Sequence, residues 1–238
     1  MTDPKPHLLC LHGALGAGTQ FASLKDQLGH HFEVHTPDFE GHGATPAPDR
    51  PFAIEHFAAN ALAYAQRSGL GPLFTFGYSM GGYVALYMAA TWPDRVERII
   101  TLGTKLDWRP EVAEREAGML DPATMQAKVP RFAEALRARH TALGLELVLE
   151  RTAEMMRALA ADPLLDADRF AKIAQPVRLC LGDRDGTVGL EETLAAYRAL
   201  PNGELAVLPR TAHPFERVNA ARIGDQIMDF AGGAIPAS

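Results

Sequence analysis

Cysteine is scarce: the 238 residues contain two, Cys10 and Cys180. A disulfide-built scaffold is thereby excluded, and both thiols sit in short apolar runs, where they read as small hydrophobes in buried strands. Long hydrophobic runs are missing too. No stretch approaches the ~20 apolar residues that a membrane span requires, so no membrane association is expected. Positive charge is neither dominant nor clustered; the net charge is −6, and no nucleic-acid partner is expected from it. Residues 1–6 lack the apolar core of a secretory signal, which makes a cytoplasmic location the expectation. There is no Gly-x-Gly-x-x-Gly or Walker-type loop and no His-Glu-x-x-His. Nine histidines occur, but His7, His30, His31, His35, His56 and His140 have no ligand-like spacing with cysteine or acidic residues. Neither a metal nor another cofactor is expected.

What the chain does have is a globular balance, 47% hydrophobic and 22% charged residues, at a length that one domain accommodates. Six short apolar runs, at residues 7–11, 32–36, 73–77, 97–102, 177–181 and 204–208, read as strands. Most are nearly continuous in Val, Ile, Leu and Phe, as strands buried on both faces require. Helical patterns at 20–28, 54–68, 81–91, 190–199 and 218–230 separate or follow them. Strand alternating with helix predicts an α/β fold, a mainly parallel sheet of about six strands flanked by helices.

One interval breaks the rhythm. Residues 106–174 offer helix after helix and no strand, with Leu145, Val148, Leu149, Thr152, Met156 and Leu159 recurring on one helical face. This interval is expected to be a helical lid within the same single domain, whose core is 1–105 and 175–238.

The sequence Gly77-Tyr78-Ser79-Met80-Gly81 lies where the third strand pattern gives way to a helical one. So abrupt a turn forces its central residue into a strained conformation and needs small residues two positions to either side. It would lift the Ser79 hydroxyl above the sheet at a helix N-terminus, where developing negative charge is favoured. Ser79 is the candidate nucleophile.

A serine hydroxyl needs a base to take its proton and an acid to hold that base in one tautomer. The base candidate is His213, in the loop after the last strand. Two aspartates, Asp183 and Asp185, follow the fifth strand. The spacing Gly182-x-x-Asp185-x-x-Val188 selects Asp185 as the acid, leaving Asp183 to bond local amides of the turn. Acyl transfer also needs donors for the oxyanion, and the backbone amides of Met80 and Ala14 are the candidates. His12 is expected to prop the loop that carries Ala14, and His42 to serve a glycine-rich turn.

His12-Gly13, Asp38-x-x-Gly41-x-Gly43, Gly77-x-Ser79-x-Gly81-Gly82, Gly182-x-x-Asp185-x-x-Val188 and His213, with Trp92-Pro93-Asp94-Arg95-Val96 leading back into the sheet, make the chain resemble the α/β-hydrolase superfamily throughout. The resemblance implies a Ser-Asp-His triad, a mainly parallel sheet and a helical cap. Haloalkane dehalogenases and epoxide hydrolases of that superfamily carry Asp at the nucleophile position, so Ser79 sets this chain apart from them. The run Gly-Tyr-Ser-Met-Gly-Gly with His-Gly-Ala-Leu-Gly is similar to the menaquinone-pathway lyase, which carries Arg where this chain has Tyr83.

The expected activity is hydrolysis of a small to medium carboxylic ester or thioester through an acyl-enzyme on Ser79. A small-molecule acyl substrate would contact Tyr78, Leu15, Trp108, Met155 and Met156. A carbon–carbon hydrolase or lyase using the same triad is the alternative, and a ligand receptor with vestigial hydrolysis a more distant one.

Overall fold

Leu8 and Cys10 point to one side of the first strand, Leu9 and Leu11 to the other, and all four are buried. That is the signature of a strand covered on both faces. In the computed structural model, which describes residues 4–232, six strands form one sheet. They are β1 (His7–Leu11), β2 (Glu33–His35), β3 (Leu73–Tyr78), β4 (Val96–Leu102), β5 (Val177–Arg184) and β6 (Gly203–Ala212). Their order is β2-β1-β3-β4-β5-β6, and every neighbouring pair is parallel. The chain leaves β1 towards one edge and returns to β3 on the other side. The crevice at the carboxyl ends of β1 and β3 is therefore a topological switch point, where ligands bind in open sheets of this kind.

Among the described residues ten α-helices accompany the strands: α1 (Ala22–Leu28), α2 (Ile54–Arg67), α3 (Met80–Thr91), α4 (Pro110–Gly118), α5 (Pro122–Lys128), α6 (Pro130–Arg139), α7 (Leu145–Ala161), α8 (Ala167–Phe170), α9 (Leu190–Ala199) and α10 (Ala220–Gly232). One core gathers Leu8, Cys10, Phe74, Phe76 and Ile100 against α1 and α10. The other sets Leu9, Leu11, Ile99 and Leu179 against α2, α3 and α7. Nine of the twelve α3 residues are buried, and the helix is accordingly apolar on all sides instead of along one stripe. Among the described residues no helix is long and apolar enough to cross a membrane.

The departures from expectation are local. The helix expected from residue 20 opens with a 3-10 turn, Gly18–Phe21, because Asp38 Oδ1 takes the Gly18 amide at 2.6 Å. β6 runs on to Ala212 through Pro209, which an edge strand tolerates since its outer N–H groups need no ladder partner. The register of β5 against β6 shifts between Gly182 and Arg184. There Asp183 Oδ1 accepts the Thr211 amide at 3.1 Å, so this carboxylate serves a neighbouring strand where a local turn amide was expected. The β1–β2 register places His7 opposite Glu33 and Leu9 opposite His35. Histidines without ligand spacing in the sequence thus share one face of the sheet with a carboxylate.

α4 to α8 fill residues 106–174 without a strand. The segment leaves β4 on a fixed heading: Glu192 of α9 accepts the amides of Leu106 and Asp107 at 2.8 Å each and the Lys105 ammonium at 2.8 Å. In α7 five of the six expected face residues are buried; Met156 is half-buried, and Ala153 and Met155 are buried beside them. Residues 1–3 and 233–238 of the expected core lie outside the described residues.

Candidate active site

Ser79 sits between β3 and α3 with φ 50° and ψ −118°, a conformation that costs of order 1–3 kcal/mol. Burial of Val84, Leu86 and Met88 behind it, each ~1.5–3 kcal/mol, outweighs that strain. The flanking glycines are required by contact. A Cβ on Gly77 would lie 2.4 Å from Gly82 Cα, and one on Gly81 would lie 2.0 Å from the Leu11 carbonyl oxygen. The Ser79 amide donates to the Leu102 carbonyl at 2.9 Å, which fastens the turn to β4.

Three residues from three strand ends meet here. Ser79 Oγ lies 3.3 Å from His213 Nε2, and His213 Nδ1 lies 2.8 Å from Asp185 Oδ2. Since the acceptor at Nδ1 is a carboxylate, that nitrogen carries the proton, and the Nε2 lone pair faces the serine hydroxyl. Asp185 Oδ1 in turn accepts the amides of Thr187 and Val188 at 2.8 and 2.9 Å. Burial opposes the Asp185 charge, but the His213 hydrogen bond, its charge and these amides outweigh burial and hold the carboxyl below its ordinary pKa. Gly103, just past β4 at φ 59°, packs beneath the pair. A Cβ there would come 2.9 Å from Asp185 Oδ2 and 3.2 Å from His213 Nδ1. Sequence reasoning missed Gly103, whose only signal is a glycine directly after an apolar strand.

The loop after β1 closes on the same spot. A Cβ on Gly13 would sit 3.1 Å from Ser79 Cβ, so Ala14 follows directly beside the serine. Among the described residues the amides of Ala14 and Met80 donate to no protein group. Leu15 lies in the left-handed region at φ 57°, which a branched side chain adopts at a cost. Its carbonyl accepts two bonds from the helical segment, from Arg139 Nη1 at 3.0 Å and His140 Nε2 at 3.0 Å. His140 Nδ1 accepts the Gly43 amide at 3.2 Å, so Nε2 is the protonated nitrogen. His12 works in the same way from below. It donates from Nδ1 to the Gly13 carbonyl at 2.8 Å and accepts the Phe39 amide at Nε2, 3.1 Å. Complete burial drives its pKa down to about 3, so it stays neutral.

Ser79 and His213 open onto a cavity of about 610 Å3. Tyr78, Leu15, Trp108, Met155 and Met156, the five predicted contacts, all line it, as do Ala14 and Met80. Tyr78 has a second contact, its hydroxyl donating to the His213 carbonyl at 2.8 Å. Ile54, Tyr83, Leu120, Phe132 and Leu159 extend the apolar wall. None of these five was predicted as a contact, because helical periodicity marks buried residues without saying which of them border a void. Tyr83 is buried, and its hydroxyl accepts the Leu165 amide at 3.1 Å. Of the three Lys and Arg residues on the wall, Lys105 is matched by Glu192 and Arg139 by Glu216, both at 2.8 Å, while Arg217 is exposed and makes no ion pair among the described residues. Trp108 Nε1 and Gln20 Oε1 are buried on the wall without a protein partner.

Comparison with known proteins adds a family to this geometry. A family model described as the alpha/beta hydrolase fold matches residues 6–169. A pimeloyl-[acyl-carrier protein] methyl ester esterase of Xanthomonas oryzae pv. oryzae is 29% identical, with 94% of each chain covered. An esterase of the same description from Chromobacterium violaceum is 31% identical, with 88% of each chain covered. Among solved structures, the enol-lactonase from Burkholderia xenovorans LB400 superposes with a TM-score of 0.76 at 20% identity, covering 96% of this chain and 92% of its own.

Proposed function

We propose that this chain, which belongs to the alpha/beta hydrolase fold family and is an esterase-like enzyme of it, cleaves a small to medium carboxylic ester or thioester through an acyl-enzyme on Ser79. The observation that carries the reading is the unbroken line from Asp185 through His213 to Ser79 at the mouth of an apolar cavity. In the reaction, His213 Nε2 takes the Ser79 proton as Oγ attacks the acyl carbon, and Asp185 stabilises the imidazolium that forms. The free amides of Ala14 and Met80 receive the oxyanion, a contribution of about 3–4 kcal/mol for one such donor. The tetrahedral intermediate collapses as His213 returns the proton to the leaving alcohol or thiol. Water, activated by the same imidazole, then releases the acid.

Residues 106–174 act in this reading as the lid, supplying Trp108, Leu120, Phe132, Met155 and Met156 to the acyl-binding wall. The wall suits an apolar acyl chain. Trp108 Nε1 offers a single donor and Gln20 Oε1 a single acceptor to a polar group on that chain. The relatives named for a methyl ester of an acyl chain support this class.

The carbon–carbon lyase alternative fits less well. It calls for a cation to hold an acidic substrate, whereas Tyr83 stands at the expected arginine position, Lys105 and Arg139 are already matched, and the remaining wall cation, Arg217, is exposed.

The test is a panel of nitrophenyl esters, acyl thioesters and diketones with wild type and Ser79→Ala. Ester or thioester turnover is expected, with labelling of Ser79 by a fluorophosphonate and loss of at least about 10^4-fold in kcat in the variant. Full hydrolysis by Ser79→Ala would sink the reading, as would turnover of diketones alone.

A further inference from the structure

At the end of the sheet remote from Ser79, β1 and β2 bring together groups that the hydrolytic chemistry does not use. His7 Nδ1 lies 3.0 Å from His35 Nε2 and 3.5 Å from Glu33 Oε2, and the three ligand atoms are all within 4.8 Å of one another. The parallel register sets them on one face, a carboxylate and two imidazoles, the histidines being 28 apart in the chain.

From this convergence we propose that His7, Glu33 and His35 form a binding site for one divalent first-row transition cation, with water completing its coordination.

The orientation of His35 favours coordination. Its Nδ1 lies 3.0 Å from the Tyr64 hydroxyl of α2. A ring that donates Nδ1–H there presents its Nε2 lone pair to the cluster, and ligating histidines are commonly oriented by a second partner on the far nitrogen. The spacing fits as well. With metal–nitrogen distances of ~2.0–2.1 Å, two nitrogens 3.0 Å apart subtend an angle of about 94° at the cation. That is near the octahedral value and leaves open positions for water. Imidazole and carboxylate donors together suit zinc, nickel or cobalt better than calcium or magnesium. His7 and Glu33 are exposed, so a cation reaches them from solvent without any opening of the fold. A bound cation would clip β2, an edge strand of three residues, onto β1.

The experiment is calorimetric titration of the untagged full-length chain with Zn2+ at pH 7.5, with thermal melting as a second readout. One equivalent is expected to bind with a micromolar Kd. His7→Ala and His35→Ala should each weaken binding by at least about 30-fold, and Tyr64→Phe by about tenfold through loss of the orienting contact. His30→Ala and His31→Ala should leave it unchanged. Saturating Zn2+ should raise the Tm of the wild type by about 5 °C and that of His7→Ala by less than 1 °C. Because His7 is exposed, that variant reads the site even if His35→Ala fails to fold. No binding below millimolar Zn2+, retention in His7→Ala, or loss in His30→Ala would each overturn the proposal. Two imidazoles joined only by a hydrogen bond give the first of these results.

Discussion

The carboxyl edge of the sheet and the helical segment from α4 to α8 face each other across one cavity, yet different constraints shape them. At the sheet edge almost every feature is a backbone requirement. Ser79 has a positive φ, Gly77 and Gly81 have no room for a Cβ, and Gly103 lies against the Asp185–His213 pair. The helical segment contributes side chains instead. Trp108 reaches the cavity from the stretch ahead of α4, and Phe132, Met155 and Met156 from helices, the segment's outer surface carrying ion pairs such as Arg157–Glu114 and Arg137–Glu146. Exposed pairs of that kind are worth little. Backbone constraints admit few substitutions, whereas an apolar wall accepts many of similar volume. In the proposed enzyme the sheet edge therefore fixes the chemistry, and the helices select the acyl group.

The most severe way to break that comparison is at Asp185. Asp185→Asn keeps the size of the side chain but removes the charge and allows the other tautomer of His213. The expected result is a loss of about 10^3–10^4 in kcat with KM within about threefold of wild type. Nitrophenyl ester kinetics check it. A loss below tenfold would mean that the sheet edge does not carry the reaction.

The same division explains how much was legible in the sequence. Six strands, their order of appearance and the positions of Ser79, Asp185 and His213 follow from short motifs, because glycine spacing and strand ends are local properties. Cavity residues on the helical segment were only partly legible. Met155 and Met156 both reach the cavity, but Ile54, Tyr83, Leu120, Phe132 and Leu159 border it too, and which buried residues face the void depends on how the helices pack, not on any one residue. The contact of Arg139 and His140 with Leu15 had no sequence signal at all, since it joins residues 124 and 125 positions apart. Likewise the His7–Glu33–His35 cluster exists only through a strand register.

The Leu15 contact is where the two regions touch, and it sharpens the comparison. The carbonyl that Arg139 and His140 hold belongs to the residue directly after Ala14, so the helical segment steadies one of the proposed oxyanion donors. His140→Ala removes one of the two holds. It should lower kcat about tenfold with little change in KM, the pattern of an interaction felt mainly in the transition state. His140→Gln can still donate to Leu15 and accept from Gly43, and should recover most of that loss. Steady-state kinetics of both variants against an ester series distinguish positioning from packing. Equal losses in Ala and Gln would assign His140 to packing alone.

The smallest effect is a change in the slope of stability with pH, and it tests whether the two regions separate before the whole chain unfolds. His12, His42 and His140 cluster between the β1 and β2 loops and the helical segment, with ring centroids 5.1 Å apart for the tilted His12–His42 pair and 5.6 Å for the edge-on His42–His140 pair. The polar and charged groups around them are Arg139, Asp38, the carbonyls of Gly13, Glu40 and Leu15, and the Glu40 carboxylate. Burial lowers the pKa of all three, for His12 down to about 3, and the charges of neighbouring histidines and Arg139 push the same way. In the unfolded chain each takes a proton near the ordinary histidine value of about 6.5. Between that pH and the lowered native values the unfolded state binds more protons, so stability falls as pH falls, by at most ~1.4 kcal/mol per pH unit for each histidine. Melting temperatures measured from pH 7 to pH 4 should therefore drop steeply below pH 6. His140→Gln removes one of these protons and should flatten the slope by up to a third of the histidine contribution. If ester hydrolysis is lost at a higher pH than bulk helicity, protonation parts the helical segment from the sheet edge first, with His140, the contact shared by both, the place where they part.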